Sequence, residues 1–156
     1  MIDEPIFSFL VGDGDQQDYF TIGGYDLDSY ATSELNWHSL RDQSRWSVNF
    51  DGIKLDDTLI EASSNLGLVD SGASFLMMPR VDFNKFYSEL SLTHNCQKYY
   101  MNMMIVFCSC SADTIQDFPT LSLVIDGIDY TIPPSTYVSP TTNEPDNISC
   151  LLDVSY

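Results

Sequence analysis

The sequence predicts an all-β protein, mostly antiparallel sheets, with one clear short helix near residues 79–90. Apolar runs of strand length are separated throughout by turns that contain Gly, Asp or Pro. Apolar and polar residues alternate within them, as at Trp46, Val48 and Phe50. Helical spacing of apolar residues is convincing in one place, after Pro79.

The first half of the chain is predicted to be strands joined by tight turns. Residues 6–11 and 19–22 should form a hairpin, and residues 26–30 a short helical turn. Asp51-Gly52 is predicted to be a turn, and Asp56-Asp57 interrupts the pattern. The further predicted strands are 35–40, 46–50, 53–55, 58–61 and 66–70.

The predicted helix opens the second half. Pro79 suits the first turn and Asp82 suits the positive end of the helix dipole. The apolar stripe consists of Val81, Phe83, Phe86, Tyr87 and Leu90. Residues 99–107 are apolar enough for a buried strand, although their length leaves a helix open. Residues 121–125 and 130–132 should form a hairpin around Asp126-Gly127, and 133–134 and 139–147 should be loop.

Length and charge limit the function. The chain has 156 residues, enough for one domain, and 23 Asp and Glu against 6 Lys and Arg give a net charge of −17. Such a surface repels nucleic acid and anionic membranes, so we expect no nucleic-acid partner. No apolar stretch is long enough to span a bilayer. The acidity suits an acidic compartment, or it is simply a soluble surface.

The cysteines indicate an oxidising compartment. Cys96, Cys108, Cys110 and Cys150 allow two disulfides in three possible pairings. Asn147 begins a glycosylation sequon, which is a weak signal by itself. The first residues lack the features of a signal peptide, so we expect that an N-terminal part of a secreted or lysosomal/vacuolar protein is missing.

One carboxylate stands in a distinctive turn. Asp70 follows the apolar pair Leu68-Val69 and precedes Ser71-Gly72. We expect Leu68-Val69 to end a buried strand, and Asp70 to lie in a partly desolvated cleft, where a pKa can be tuned. Taken alone, an Asp-Ser-Gly turn is more often a capped turn than a catalytic site.

The neighbouring segments change that interpretation, because in their order they resemble the C-terminal lobe of the pepsin-like aspartic endopeptidases. The active-site motif of that lobe is matched by residues 68–74. Each segment is a weak signal, but the ordered set covers nearly the whole chain. The other matching segments are 7–10, 20–26, 29–30, 34–37, 45–48, 117–121, 126–130, 132–138 and 149–150.

The resemblance implies an aspartic endopeptidase in which two aspartates share a proton and a water molecule. Asp70 matches the second of these aspartates. Ser71 matches a hydroxyl that locks the two active-site loops together, Gly72 the glycine that lets substrate pass closely, and Ser74 a further loop position. Ala73 is a departure, since family members commonly carry a hydroxyl there that bonds the aspartate. Its absence should raise the pKa values of the pair.

The resemblance also implies what lies outside the chain. Residues 1–156 would be a C-terminal lobe, incomplete at its C-terminus, whose partner is the missing N-terminal lobe or a second lobe. The substrate would be a peptide or protein, with no cofactor and no metal. The family bridge that involves the position of Cys150 favours Cys110–Cys150, which leaves Cys96–Cys108 to staple a hairpin.

Three alternatives remain beside this interpretation. The chain could be a non-catalytic pepsin-like module that binds peptides or has a structural role. His94 with Cys96, Cys108 and Cys110 could bind zinc, although the Cys-x-Cys spacing argues for disulfides. The acidic run from Asp13 to Asp18 resembles the start of a calcium loop but lacks its Gly and Glu. His38 and His94 are predicted to be ordinary polar positions.

Overall fold

The computed structural model describes residues 4–12, 17–31, 33–100, 102–141 and 149–156. In these residues it confirms the all-β prediction, since most of the regular structure is strand and nearly all strand pairs are antiparallel. The chain divides into two compact units, residues 1–37 and residues 38–156.

The first unit is built on the predicted hairpin. Strand β1 (Phe7–Leu10) pairs antiparallel with β2 (Tyr19–Ile22), and the rings of Phe9 and Phe20 stack with centroids 4.9 Å apart. Helix α1 (Leu27–Tyr30) follows as a single turn that Asp26 caps by accepting from the Ser29 N–H. Both predicted elements are confirmed.

The second unit contains a five-stranded sheet centred on one long strand. Strand β3 (Ser47–Leu55) lies between β4 (Thr58–Glu61) and β9 (Leu121–Ile125). Strand β10 (Ile128–Ile132) pairs with the outer side of β9. Strand β5 (Leu66–Leu68) pairs with the first residues of β3, which brings the chain to Asp70.

A second sheet contains three of the four cysteines, Cys96, Cys108 and Cys150, and Cys110 follows two residues after one of its strands. Its strand order is β11 (Val138–Pro140), β12 (Cys150–Leu152), β8 (Met104–Cys108), β7 (Cys96–Tyr100), and all three pairs are antiparallel. Strands β6 (Leu76–Met77) and β13 (Val154–Ser155) form a parallel pair.

The predicted helix is α2 (Arg80–Leu90), and it supplies much of the core. Phe83, Phe86 and Leu90 are almost completely buried and belong to one cluster with residues of both sheets. Val81 does not join the stripe as predicted, because it lies on the outer face and is 57% exposed. Two shorter helical segments follow, a 3-10 helix at Ala112–Asp117 and α3 at Pro134–Tyr137.

Two predictions about strands and turns in the first half are wrong. Residues 35–40 form no strand, since Leu35, Trp37 and Leu40 find no covering partner strand and are 42%, 74% and 43% exposed. Asp51-Gly52 is not a turn but an irregular pairing inside β3. A Cβ on Gly52 would lie within contact of the Ile60 carbonyl oxygen, so glycine lets β3 and β4 approach closely.

Two predictions in the second half also need correction. Residues 99–107 are not one element but the β7–β8 hairpin, and Asn102 adopts a left-handed conformation (φ 70°) between the strands. The loop predicted at 133–134 contains the start of α3, because Pro134 suits the first turn of a helix. The loop predicted at 139–147 contains the end of β11, and its residues 142–147 lie outside the described residues.

Candidate active site

Asp70 lies just after the end of strand β5. The ladder with β3 continues one residue beyond the strand, where the Val69 N–H donates to the Trp46 carbonyl over 2.8 Å. The predicted strand 66–70 is therefore shorter than expected, and Asp70 begins the turn that follows. The strand pair fixes the backbone on one side of the carboxylate.

The turn itself holds the Asp70 side chain. The Gly72 N–H donates to Asp70 Oδ1 over 2.9 Å, and the Ala73 N–H donates to the Asp70 carbonyl over 3.2 Å. A Cβ at Gly72 would lie 3.2 Å from the same Oδ1, which is tighter than ordinary van der Waals contact. A side chain at this position would therefore require the carboxylate to shift by a few tenths of an ångström.

The environment of Asp70 is more open than expected. Asp70 is exposed, and Leu68 and Val69 are 57% and 61% exposed, so neither the buried strand end nor the desolvated cleft is present. The pairing with β3 satisfies backbone groups of β5, but it does not cover the apolar side chains of β5, which remain in contact with solvent.

The strands beside Asp70 present an apolar surface. Trp46 is 55% exposed and Leu66 is 51% exposed, in addition to Leu68 and Val69. Because successive side chains of a strand alternate in face, Leu66 and Leu68 lie on one face of the sheet and Val69 lies on the other with its neighbour Trp46. Leu66 and Leu68 are called the β5 patch. Apolar side chains that share an exposed face gain free energy when another surface covers them.

The cysteines form two disulfides, Cys96–Cys108 and Cys110–Cys150. This is the pairing that the resemblance implies, with the first bond joining directly opposed residues of β7 and β8. All four sulfurs are committed to these bonds, so the zinc alternative is wrong for the cysteines. His94 instead stacks on Phe118, with ring centroids 4.2 Å apart, and contacts the Thr93 hydroxyl.

A polar network around His38 was not predicted. His38 Nδ1 lies 2.9 Å from Asp126 Oδ2, and Nε2 contacts the Tyr130 hydroxyl. The side-chain amide of Asn49 donates from Nδ2 to Asp126 Oδ1 over 2.7 Å, and the Arg41 guanidinium donates to the side-chain oxygen Oδ1 of Asn49. The hydrogen bond from His38, followed by that from Asn49, lowers the pKa of Asp126. The Asp-Gly turn signal at Asp126 was visible in the sequence, but its distant partner was not.

Some predictions fall outside the described residues. Asn147 and the run from Asp13 to Asp15 are among them. Asp18, at the end of that run, accepts from the Gly12 N–H over 2.8 Å, as a turn residue does. Among the described residues, no group of three or more His, Cys, Asp or Glu is arranged to hold a metal, and no helix is long and apolar enough to cross a membrane.

Comparison with protein families identifies the class that this fold and motif define. The model of the eukaryotic aspartyl protease family matches residues 1–156, and the chain therefore belongs to that family.

Relatives with curated names agree with this assignment. The chain is 31% identical over 136 residues to pregnancy-associated glycoprotein 1 of Ovis aries, an alignment that covers 86% of this chain and 33% of that protein. It is 29% identical over 139 residues to pepsin A of Suncus murinus, covering 88% and 34%. It is 28% identical over 147 residues to gastricsin of Rattus norvegicus, covering 91% and 35%. The chain spans about a third of the length of these relatives.

Proposed function

We propose that this chain is one lobe of an aspartic endopeptidase and that Asp70 is one of its two catalytic carboxylates. The observation that carries the proposal is the Asp-Ser-Gly turn of a family member, in which the Gly72 N–H orients the carboxylate at an open surface. Residues 1–156 act together as the C-terminal type of lobe, and Ser71, Gly72, Ala73 and Ser74 support the active-site loop.

The chemistry requires a second acid. One carboxylate of the pair takes a proton from a water molecule, which attacks the peptide carbonyl, while the other carboxyl donates a proton to the carbonyl oxygen. Two carboxylates at close distance cannot both ionise comfortably, so the pair titrates as a unit. Asp70 alone supplies only one of these two roles, and the isolated chain should not cleave peptides.

The β5 patch supports an associated form of the protein. Leu66 and Leu68 share one face of β5 and are both more than half exposed just before Asp70. Covering them with another lobe would remove apolar surface from water and would at the same time desolvate the catalytic carboxylate. The partner is an N-terminal type of lobe that carries its own aspartate, or a second copy of this chain, which would supply a second Asp70.

The test is an acid-to-neutral proteolysis assay on three samples and one control. The samples are the purified chain, the chain co-expressed with an N-terminal type of lobe from a family member, and the same pair with Asp70→Asn. We expect cleavage of a quenched peptide by the wild-type pair and none by the Asp70→Asn pair. Asp57→Asn is the matched control, because Asp57 is an exposed aspartate in the turn between β3 and β4.

Each outcome decides between the proposed forms. Cleavage by the purified chain, inhibited by a statine-type peptide, would support the two-copy enzyme. Binding of that peptide without cleavage by any sample would instead support the non-catalytic peptide-binding module. Equal activity of the Asp70→Asn and Asp57→Asn pairs would remove Asp70 from the mechanism.

We propose a secreted or lysosomal/vacuolar location for the same protein. Its support is the pair of disulfides, Cys96–Cys108 and Cys110–Cys150, which form and persist in oxidising compartments. Non-reducing and reducing mass measurements on protein recovered from its native source would test the location, since fully reduced cysteines there would contradict it.

A further inference from the structure

One segment of the described chain is exposed and has no regular backbone structure. Residues 33–40 contain no helix or strand, and all of them except His38 are exposed. Among the described residues, no hydrogen bond between backbone groups involves this segment. Its peptide groups are therefore accessible to another protein that binds a chain in an extended form.

The same segment presents large apolar side chains. Leu35 is exposed, and Trp37 is 74% exposed. A protein that binds an extended peptide pairs with its backbone for affinity and selects the sequence by pockets for individual side chains. Residues 34–37 offer both features, because His38 is the first residue after them whose side chain bonds to a distant part of the described chain.

The packed core lies on one side of this segment in the sequence. The first compact unit ends at Trp37 and the second begins at His38. Every buried residue of the described chain belongs to the second unit, from Ser47 onward, and so does the hydrophobic core cluster. Both disulfides lie in the second unit as well. A cut before His38 would therefore remove no residue of this core and open no disulfide loop.

We propose that residues 34–38 are a proteolytic processing site, cut after Leu35 or Trp37 by an endopeptidase that selects large apolar side chains. Hydrolysis breaks one peptide bond, and water supplies the hydroxyl of the new carboxyl group and a proton of the new amino group. The product is a stable fragment that begins at Asn36 or His38 and contains Asp70 and both disulfides. The cut does not depend on catalysis by this chain, so the processing site and the proposed function can each fail while the other stands.

Exposure alone does not mark such a site, because equally exposed apolar residues lie in bonded backbone. Leu92 is 75% exposed, but its N–H donates to the Glu89 carbonyl in the turn that follows α2. Phe20 is 57% exposed, but it lies on β2 and is paired with Phe9 of β1. A protease must open these bonds before it can bind the backbone, whereas residues 34–37 need no such opening.

The test is limited proteolysis of the full, disulfide-bonded chain with chymotrypsin, which cuts after large apolar and aromatic residues. Mass spectrometry identifies the fragment ends, and each cleavage rate is divided by the rate at the same bond in the reduced, unfolded chain. We expect the normalised rate after Leu35 or Trp37 to be at least about tenfold higher than after Leu92 or Phe20. The fragment that begins at Asn36 or His38 should persist.

A double variant removes the side chains that the endopeptidase would select. Leu35→Ser combined with Trp37→Ser should slow the formation of that fragment at least about tenfold, since both apolar side chains are lost. Leu92→Ser is the matched control, because it removes an equally exposed apolar side chain from a bonded turn. It should leave the rate unchanged.

Three results would overturn the processing site. The first is that the earliest cuts fall after Leu92 or Phe20 while residues 34–38 stay intact. The second is that wild type and the double variant form the fragment at equal rates. The third is that residues 38–156 are degraded without a persistent fragment. If the double variant does not fold, the normalised rates of the wild-type chain decide alone.

Discussion

The backbone N–H of Gly72 donates to the carboxylate of Asp70 over 2.9 Å, two residues along the same turn. The orientation of the carboxylate is thus set by its own turn, before any partner lobe or substrate is bound. The backbone just before Asp70 is held within the same chain as well, since the Val69 N–H donates to the Trp46 carbonyl. The proposed site therefore has two separate requirements. This chain orients the Asp70 carboxylate, and a partner supplies the second catalytic carboxylate.

Gly72→Ala should impair the reconstituted enzyme without unfolding the lobe. A Cβ there would lie 3.2 Å from Asp70 Oδ1, so the carboxylate would have to shift by a few tenths of an ångström. We expect kcat/KM to fall about 10-fold, because a displacement of about 1 Å costs a catalytic group about 100-fold. Gly24→Ala is the matched control, since its Cβ would meet nothing within 4 Å. Equal losses in the two variants would show that the effect is not specific to the site.

Ala73→Thr should move the pH optimum of the reconstituted enzyme to a lower value. Ala73 offers no hydroxyl to the aspartate, and a hydrogen bond to a carboxylate favours its charged form by about 1–3 kcal/mol. Adding that donor should lower the pKa values of the catalytic pair. The measurement is the pH profile of kcat/KM, with Ala73→Val as a control of similar shape. Superimposable profiles for wild type and Ala73→Thr would refute this interpretation.

Asp82→Ala should destabilise the fold by about 1–3 kcal/mol, the contribution of hydrogen bonds to a charged group. Asp82 is 4% exposed and accepts from both the Ser63 N–H and the Ser63 hydroxyl, at 2.9 Å and 2.8 Å from Oδ2. It thereby fastens α2 to the chain between β4 and β5. Urea denaturation measures the change, and Val81→Ala, on the exposed face of α2, should cost much less. Equal costs would show that the buried bonds contribute little.

Asp153→Asn should stabilise the chain at neutral pH and have little effect in strong acid. Burial raises the pKa of Asp153, and the bond from the Ser139 hydroxyl opposes this only in part. The folded state therefore holds this proton where the unfolded chain has lost it. Its contribution to stability is fully present below the ordinary aspartate pKa of about 4 and declines as the pH rises.

The measurement is the difference in unfolding free energy between Asp153→Asn and wild type at pH 3 and pH 7. It should be near zero at pH 3 and positive at pH 7. Asp57→Asn removes the same charge from an exposed turn and corrects for the general relief of repulsion in a chain of net charge −17. Equal gains in stability of the two variants at pH 7 would contradict the conclusion that burial raises the pKa of Asp153.

The parts of the fold that the sequence predicted depend on local signals. The β1–β2 hairpin has its own turn residues and α2 has its own helical spacing of apolar residues, and the structure contains both. The failures involve distant partners. The β3 strand continues through Asp51-Gly52 because β4 approaches closely there. The buried carboxylate of Asp82 accepts from Ser63, which lies 19 residues earlier in the sequence.

The candidate site, too, was predicted correctly where the signal was local and not where it depended on distant partners. The Asp70 turn was recognisable from consecutive residues, whereas the exposure of Leu68 and Val69 depends on what lies across the sheet. The partners of His38 are 88 and 92 residues away in the sequence, so no local pattern could have indicated them. From residue type alone, His38 was predicted to be an ordinary polar position.

The most direct test of the central claim is the affinity of the reconstituted pair of lobes for a statine-type peptide, measured by calorimetry with wild-type Asp70 and with Asp70→Asn. A transition-state analogue should depend on both catalytic carboxyl groups, so we expect the substitution to weaken binding at least about 100-fold. Asp57→Asn should leave the affinity unchanged. Equal affinity of the wild-type and Asp70→Asn pairs would contradict the assignment of Asp70 as a catalytic carboxylate.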